Sequence, residues 1–442
     1  MADAGWTVFE DYVDEVMARE HIVAVAVAIA QDGDILYAKG FGTRDLATGE
    51  PVTPESVFGC GSVSKSFTAM AITQLADKGL LSVDDPVIKH LPEFRLRGID
   101  DMSTVRVRHL LSHTTGCPPM GRHQEKHAFT EHLEYLATQD YEVLGKPGEY
   151  FSYCNDTFLL LGAIIERLSG RRYRTHMSEN VVAAIGMPRT TYDITELPDW
   201  DNVTAPYIYK RKSDRHEAQP WPDLGNYEVG GGVRSNVLAL VRYGHVYVND
   251  GVIDGRRIVS EEGLLRMRQP MYKTNRNTYY CFGLNKTPDY AGLTLVEHGG
   301  GQAGVSANFG FVPEKRLVAA VLTNVSGRPA GALWLAAVNT ALGLPIDKLR
   351  SIEPHYGAPV EHLRRFAGTY KSAEGGELRV SLEDSAPKVE VEEQVFALRA
   401  SDERSLVFRN QGQDVPIRFY FDQNGETWAA FYHSRMLRKV KE

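Results

Sequence analysis

This chain has little of what a metal site, a membrane anchor or a nucleic-acid surface needs. Its 442 residues include four cysteines, Cys60, Cys117, Cys154 and Cys281. They show no zinc-site spacing, and the scattered histidines form no H-E-x-x-H pair. The cysteines read as small, reduced packing residues; no metal and no cofactor is predicted. Basic blocks are absent and the net charge is −8, which leaves nucleic acid no electrostatic footprint. No apolar run approaches membrane length. Val23–Ala30 is followed at once by Gln31-Asp32-Gly33-Asp34 and reads as a strand entering a hairpin. The opening Met1-Ala2-Asp3-Ala4-Gly5-Trp6 lacks the basic start and apolar core of a secretory signal. A cytoplasmic protein with no membrane or nucleic-acid partner is therefore expected.

What is present is an ordinary globular composition, 43% hydrophobic and 24% charged, in a chain too long for one core. Trp6, Phe9, Tyr12, Val13 and Val16 mark an amphipathic helix over 6–18. Strands are predicted at Val23–Ala30, Ile35–Phe41, Tyr279–Leu284, Leu293–Glu297, Ser306–Val312 and Leu317–Thr323. Helices are predicted at Asn236–Val248, Ser260–Arg268 and Ala330–Ala341. Strands from both ends of the chain with helices between them imply an α+β fold: one antiparallel sheet flanked by helices, plus a mostly helical middle region. Residues 201–229 read as an irregular loop over the mouth of the site. Residues 1–345 form this first domain and 346–360 a Pro-bearing linker. In 361–442, seven or eight short alternating runs between turns such as Gln423-Asn424-Gly425 predict a small antiparallel β-barrel.

The chemistry concentrates in Gly61-Ser62-Val63-Ser64-Lys65-Ser66-Phe67-Thr68. Ser62 and Lys65, three apart on a helix, share one face closely enough to share a proton. A lysine kept partly neutral by burial or nearby positive charge lowers the cost of a serine alkoxide. Phe67, Met70, Ala71 and Ile72 argue that this helix is buried. Ser64 and Ser66 are neighbouring alternatives without a lysine at plus three, and Ser62 also reads as a helix N-cap. A second signal, Phe151-Ser152-Tyr153-Cys154-Asn155, precedes an apolar helix. A third, Glu297-His298-Gly299-Gly300-Gly301, closes a strand with glycines that admit close backbone approach.

Taken together, Ser62/Lys65, Tyr153/Asn155 and His298/Gly300 occur in that order, separated by 91 and 145 residues. They resemble the S-x-x-K, Y-x-N and K-T-G or H-x-G signatures of the serine beta-lactamase-like and penicillin-binding-protein superfamily. The nearest look is to the branch of class C beta-lactamases, DD-carboxypeptidases, D-aminopeptidases and related esterases. His109–Gly116, Gly230–Ser235 and Leu317–Asn324 look like further family segments, so the likeness covers about residues 5–345. Phe366-Ala367-Gly368-Thr369-Tyr370 looks like the opening of the lipocalin-like domain of some relatives.

The resemblance implies a beta-lactamase-like domain and a serine hydrolase working through an acyl-enzyme. Ser62 would be the nucleophile and Lys65 its proton acceptor or electrostatic partner. Tyr153 would be base or proton relay, and would activate the deacylating water. The backbone N–H groups of Ser62 and Gly301 would form the oxyanion hole, and Asn155, Gly299 and Gly300 would contact substrate. His298 would face the substrate carboxylate region or bond Tyr153. It stands where lactamases carry Lys, and a mostly neutral imidazole suits a carboxylate less than a fixed ammonium. Beta-lactamase activity therefore ranks below a peptidase or amidase acting on short peptides with D-residue preference. A carboxylesterase of the same fold is the alternative; the intact motif residues disfavour a non-catalytic binding protein. The expected partner is a small-molecule or short-peptide substrate, with the C-terminal domain a candidate homo-oligomer contact. His109 and His113 read as structural and Glu166 as a surface or salt-bridging residue. A chain ending near Pro345 is expected to keep an acylatable Ser62.

Overall fold

In Ala24–Gln31, residues alternate between alanine and larger β-branched side chains, and this pattern sets the architecture. Every residue from Ala24 to Ala30 is buried, as in strands covered on both faces. Val25, Val27 and Ile29 pack with Phe9, Val13 and Val16 of the helix Ala2–Arg19 and with Leu333 and Trp334 of Ala330–Ala341. Each such side chain, fully buried, contributes about 1.5–3 kcal/mol. Ala24, Ala26 and Ala28 join the larger core on the other face, with the helices Ser64–Asp77 and Val237–Val248. Packing on that face is close: a Cβ on Gly244 would come within 2.2 Å of Val318. The computed structural model describes residues 2–410 and 412–440.

Around this strand runs an eight-stranded antiparallel sheet. Its order is Asp34–Gly42, Ala24–Gln31, Leu317–Thr323, Val305–Val312, Leu293–Gln302, Asn285–Tyr290, Tyr279–Tyr280 and Tyr272–Lys273. Strands from the two ends of the region are thus neighbours, Val25 lying opposite Thr323. The indole of Trp334 donates to the Ala319 carbonyl at 2.9 Å and ties the last helix to the sheet.

Three elements of this region depart from the sequence expectation. The predicted strand Tyr279–Leu284 stops at Tyr280, and residues 281–284 turn the chain into Asn285–Tyr290. The strand Leu293–Gln302 continues past Glu297 because residues 298–302 keep pairing with the strand Val305–Val312; pairing overrides the poor strand propensity of three glycines. Its other neighbour, Asn285–Tyr290, pairs only as far as Glu297, so His298–Gln302 have an edge that no sheet strand covers. Residues 201–229 are irregular only in part, at 201–206 and 219–224. The rest forms the hairpin Tyr207–Lys210 with Arg215–Ala218 and leads into the short helix Glu228–Gly231.

Residues 368–439 carry a second antiparallel sheet of nine strands. Its edge strands, Gln394–Ala397 and Arg399–Asp402, are consecutive in the chain, so the sheet is a nearly closed barrel. The single predicted run Phe396–Ala400 divides at Leu398 between these edges. Phe366 and Tyr370 are buried in the barrel with Leu378, Leu406, Ile417 and Phe419, and the Tyr370 hydroxyl donates to the Phe366 carbonyl at 2.7 Å.

The segment between sheet and barrel is bonded to both. Arg350 pairs with Glu297 at 2.6 Å, Glu353 pairs with Arg276 at 3.0 Å, and the Glu353 N–H donates to Asp414 at 3.1 Å. The barrel itself packs on the first region through a shared apolar cluster, Leu144, Phe151, Tyr153 and Tyr280 against Ala429, Phe431 and Met436. This contact bears on the expectation that a chain ending near Pro345 keeps an acylatable Ser62, because truncation would bare the first four of these side chains. A protein ending at Pro345 is expected to aggregate, or to label at Ser62 with a fluorophosphonate at least about tenfold more slowly than the full chain. Gel filtration and labelling rates check this; a monodisperse truncation labelling at the full rate would show the barrel to be dispensable.

Candidate active site

Gly61 turns the chain with φ +51° into the one-turn helix Gly61–Val63, which runs on into Ser64–Asp77. The open edge of Leu293–Gln302 seats directly on this turn. A Cβ on Gly300 would fall 2.0 Å from the Cys60 carbonyl oxygen and 3.1 Å from the Ser62 nitrogen; one on Gly61 would fall 2.7 Å from the Gly301 nitrogen. What requires glycine at 300 is therefore the chain's own backbone. The same close approach places the Ser62 and Gly301 nitrogens at one contact.

Neither helix start takes a side-chain cap bond, so the Ser62 hydroxyl is not spent on capping. It accepts from Lys65 Nζ at 3.3 Å. Lys65 also donates to Asn155 Oδ1 at 2.9 Å and to the Gly230 carbonyl at 3.1 Å, and lies 4.8 Å from the centre of the Tyr153 ring. Lys65, His298 and Tyr153 are 1%, 4% and 6% exposed, whereas Ser62 and Asn155 keep partial exposure. Burial holds the Lys65 amine well below the usual lysine range; Arg122 and Arg435 push the same way, and Glu374 and Cys154 oppose them. Burial also holds the Tyr153 phenol above its usual range, with the Ser62 hydroxyl, Arg435 and Arg122 pulling against it. The buried Tyr153 hydroxyl makes no hydrogen bond within normal geometry. At neutral pH the pair is thus a phenol beside an amine that yields its proton easily.

His298 is placed differently from the expectation. Its Nδ1 donates to the Gly299 carbonyl at 2.6 Å, which fixes the tautomer, and its Nε2 accepts from the Tyr280 hydroxyl at 3.0 Å. Both nitrogens are occupied, neither by Tyr153, whose ring centre lies 6.2 Å away. Burial, and then the charge of Lys65, push its pKa down to about 3.

The supporting histidines hold backbone. The ring of His113 stacks on Tyr153 at 4.0 Å and its Nδ1 accepts from the Cys154 N–H at 3.2 Å; that of His109 accepts from the Arg106 N–H at 3.2 Å. Glu166 accepts from the Tyr173 N–H at 2.7 Å, anchoring the next helix instead of pairing with a cation on the surface. Ser64 and Ser66 are buried and donate to the Gly61 and Val63 carbonyls. A second Ser-x-x-Lys occurs at Ser385 and Lys388, but there Ser385 occupies a hairpin turn with φ +70° and Lys388 pairs with Glu383. The spacing means something only on a helix.

Sequence reasoning missed the groups that reach the site from the barrel. Glu374 accepts from Asn155 Nδ2 at 3.4 Å, and Arg435 lies over the Tyr153 ring at 4.7 Å. With Asn155 and Glu374 219 positions apart, no local pattern links them.

Residues 9–342 match the protein family described as Beta-lactamase. Penicillin-binding protein 4* of Bacillus subtilis (strain 168) is 27% identical over 400 residues, which cover 85% of this chain and 86% of that protein. The octameric penicillin-binding protein homologue from Pyrococcus abyssi superposes with a TM-score of 0.72 at 28% identity, over 98% of this chain and 99% of that one. The structure of SurE superposes with a TM-score of 0.77 at 24% identity, over 99% of each chain, a likeness of fold.

The buried neutral histidines make stability depend on pH. His298 at about 3, His109 at about 4 and His113 well below normal all bind protons less readily folded than unfolded. Their contribution is therefore full above about pH 6.5, the unfolded value, and is lost as pH falls toward the folded values. The urea midpoint is expected to fall steadily from pH 7.5 to 4.5. A midpoint that holds or rises over that range would contradict the burial of these rings in neutral form.

Proposed function

Because the chain belongs to the beta-lactamase family, whose members are serine hydrolases working through an acyl-enzyme, we propose that Ser62 is its nucleophile and that it cleaves short peptides or amides, with a preference for D-residues. The observation that carries this reading is the hydrogen-bonded set Ser62–Lys65–Asn155, in which the amine is buried and the hydroxyl is reachable. The branch holding DD-carboxypeptidases and D-aminopeptidases supplies the substrate class, and the penicillin-binding names of the relatives agree with it.

In this reading Ser62 Oγ attacks the substrate carbonyl while its proton passes to the neutral amine of Lys65. The oxyanion is received by the N–H groups of Ser62 and Gly301. Collapse breaks the carbon–nitrogen bond; Tyr153 gives its phenolic proton to the leaving nitrogen and recovers one from Lys65. Water then attacks the ester, passes a proton back through the same pair, and releases Ser62. Asn155 would hold Lys65 and the substrate amide oxygen, with Gly299 and Gly300 along the substrate's path. His298, neutral and bonded to Tyr280, is a positioning group for this edge and brings no fixed charge to a substrate carboxylate. That neutrality favours one alternative, a carboxylesterase of the same fold. The barrel, read as lipocalin-like, would offer a homo-oligomer contact, a reading supported by the octameric relative. The buried free thiols support a reducing compartment and hence the cytoplasm.

Ser62→Ala is expected to abolish labelling by a fluorophosphonate or a beta-lactam while costing about 1 kcal/mol of stability or less. Peptide mapping that finds the label on Ser64 or Ser66 would refute the assignment. In a panel of D- and L-aminoacyl amides, D-Ala dipeptides, p-nitrophenyl esters and nitrocefin, D-amides are expected to lead; ester turnover without amide turnover would establish the alternative.

Tyr153→Phe is expected to lower turnover about 10²–10⁴-fold with little change in KM, since proton transfer belongs to the transition state. Steady-state kinetics check this. A near-normal rate would leave Lys65 to protonate the leaving group alone.

A further inference from the structure

The last hairpin of the barrel meets the segment carrying Tyr153 and Asn155 through directed polar contacts as well as packing. The Ser434 carbonyl accepts the Tyr153 N–H at 2.8 Å, and the Met436 N–H donates to the Ser152 hydroxyl at 3.1 Å. Between them Arg435 lays its guanidinium over the Tyr153 ring at 4.7 Å. Arg435 is fixed by Glu374, on another barrel turn, with Nε to Oε2 at 2.9 Å and Nη2 to Oε1 at 3.4 Å. The same Oε1 accepts from Arg122 Nε and Nη2 at 3.3 Å and from Asn155 Nδ2 at 3.4 Å. Asn155 turns its other end, Oδ1, to Lys65. A carboxamide with a carboxylate at one end and an amine donor at the other has one orientation.

We propose that Glu374 and Arg435 are positioning residues for acylation of Ser62: through them the barrel fixes the orientation of Asn155 and the ring of Tyr153 and sets the charge beside Lys65. This rests on the reading of Ser62 as nucleophile with Lys65 and Tyr153 as its proton partners. The titratable and charged groups facing Lys65 are Tyr153, Cys154, His113 and His298 from the first region, together with Arg122, Glu374 and Arg435. The two arginines disfavour the protonated amine and Glu374 favours it; the three act with the same signs on the Tyr153 phenol. Whichever of the two groups titrates, neutralising Glu374 lowers its proton affinity and neutralising Arg435 raises it. Loosened packing has no such opposite signature.

The experiment is the acylation rate constant of the full-length protein with p-nitrophenyl acetate, by stopped-flow burst from pH 5 to 9, with mapping of a fluorophosphonate label to Ser62. Relative to wild type, the acid limb is expected to move down by about 0.5–1 pH unit in Glu374→Gln and up by a similar amount in Arg435→Gln. Arg435→Lys, which keeps the charge, is expected to hold the limb in place. Glu374→Ala, which also removes the acceptor for Asn155, is expected to lower the plateau acylation rate about tenfold or more with a smaller change in KM. If Arg435→Gln does not fold, Arg122→Gln on the exposed side of the triad reports the same upward shift. Shifts of the same sign in the Glu374 and arginine variants, or an unmoved limb in both, overturn the inference while leaving Ser62 in its role. A wild type that is not labelled at Ser62 overturns the functional reading and this inference with it.

Discussion

A lysine amine removed from water has to be answered by the protein, and the answer given to Lys65 organises the rest of the structure. Burying an unpaired ammonium costs several kcal/mol. Here burial lowers the amine's hold on its proton, and three oxygens receive its donors: the Ser62 hydroxyl, the Asn155 side chain and the Gly230 carbonyl. They come from three distant parts of the chain, so Lys65 is satisfied only when those parts are assembled. Local features follow from this demand. A Cβ at Gly230 would stand 2.6 Å from Nζ. Asn155 opens its helix with its side chain turned inward to the amine instead of capping. The helix bearing Lys65 is buried from Ser64 to Leu75, which keeps the amine from relaxing into water.

The sheet supplies the second constraint, a backbone contact. Strand Leu293–Gln302 outruns its neighbour Asn285–Tyr290 and uses its uncovered edge to press against the Ser62 turn. Gly300 is the consequence of two backbones meeting at that distance, and the Glu297–Arg350 pair holds the strand just before it. The Ser62 hydroxyl therefore lies between a buried helix and a strand edge, with little freedom in either. Preorganised N–H groups act best in such a place, because they need not reorient as charge develops.

Much of this was legible in the sequence, and the part that was not has a common cause. Ser62 and Lys65 were readable because the helix repeat alone brings them together. The apolar run Val23–Ala30, closed by Gln31-Asp32-Gly33-Asp34, gave a strand and its hairpin turn. Expectations fell short where a segment's conformation or role is set by a partner outside the segment itself, whether near in the chain or far. The strand through Gly299–Gly301 looks like a terminus until Val305–Val312 is beside it. Residues 207–218 look irregular until their hairpin closes. Tyr280, the partner of His298, carried no local mark of that role. Glu374 and Arg435 are ordinary barrel-turn charges until the barrel docks. The identical spacing at Ser385 and Lys388 shows the converse: a motif read without its helix is chemically empty.

The location of charge separates the two parts of the molecule. The motif residues of the first region are largely neutral in place, with His298 held as imidazole, Tyr153 as phenol and Lys65 poised to lose its proton. Most of the fixed charge bearing on them comes from Arg122, Glu374 and Arg435, and two of these three belong to the barrel. Such charges act at longer range than hydrogen bonds and are weakly screened when partly buried. In the proposed reaction, the region that carries the motifs determines which bonds can be made and broken at Ser62. Two of the charges that would bear on that reaction, Glu374 and Arg435, come from the barrel, which holds none of its proposed reacting groups. A change in a barrel turn can then alter how the site responds to pH or to a charged substrate without touching a residue that the motifs identify.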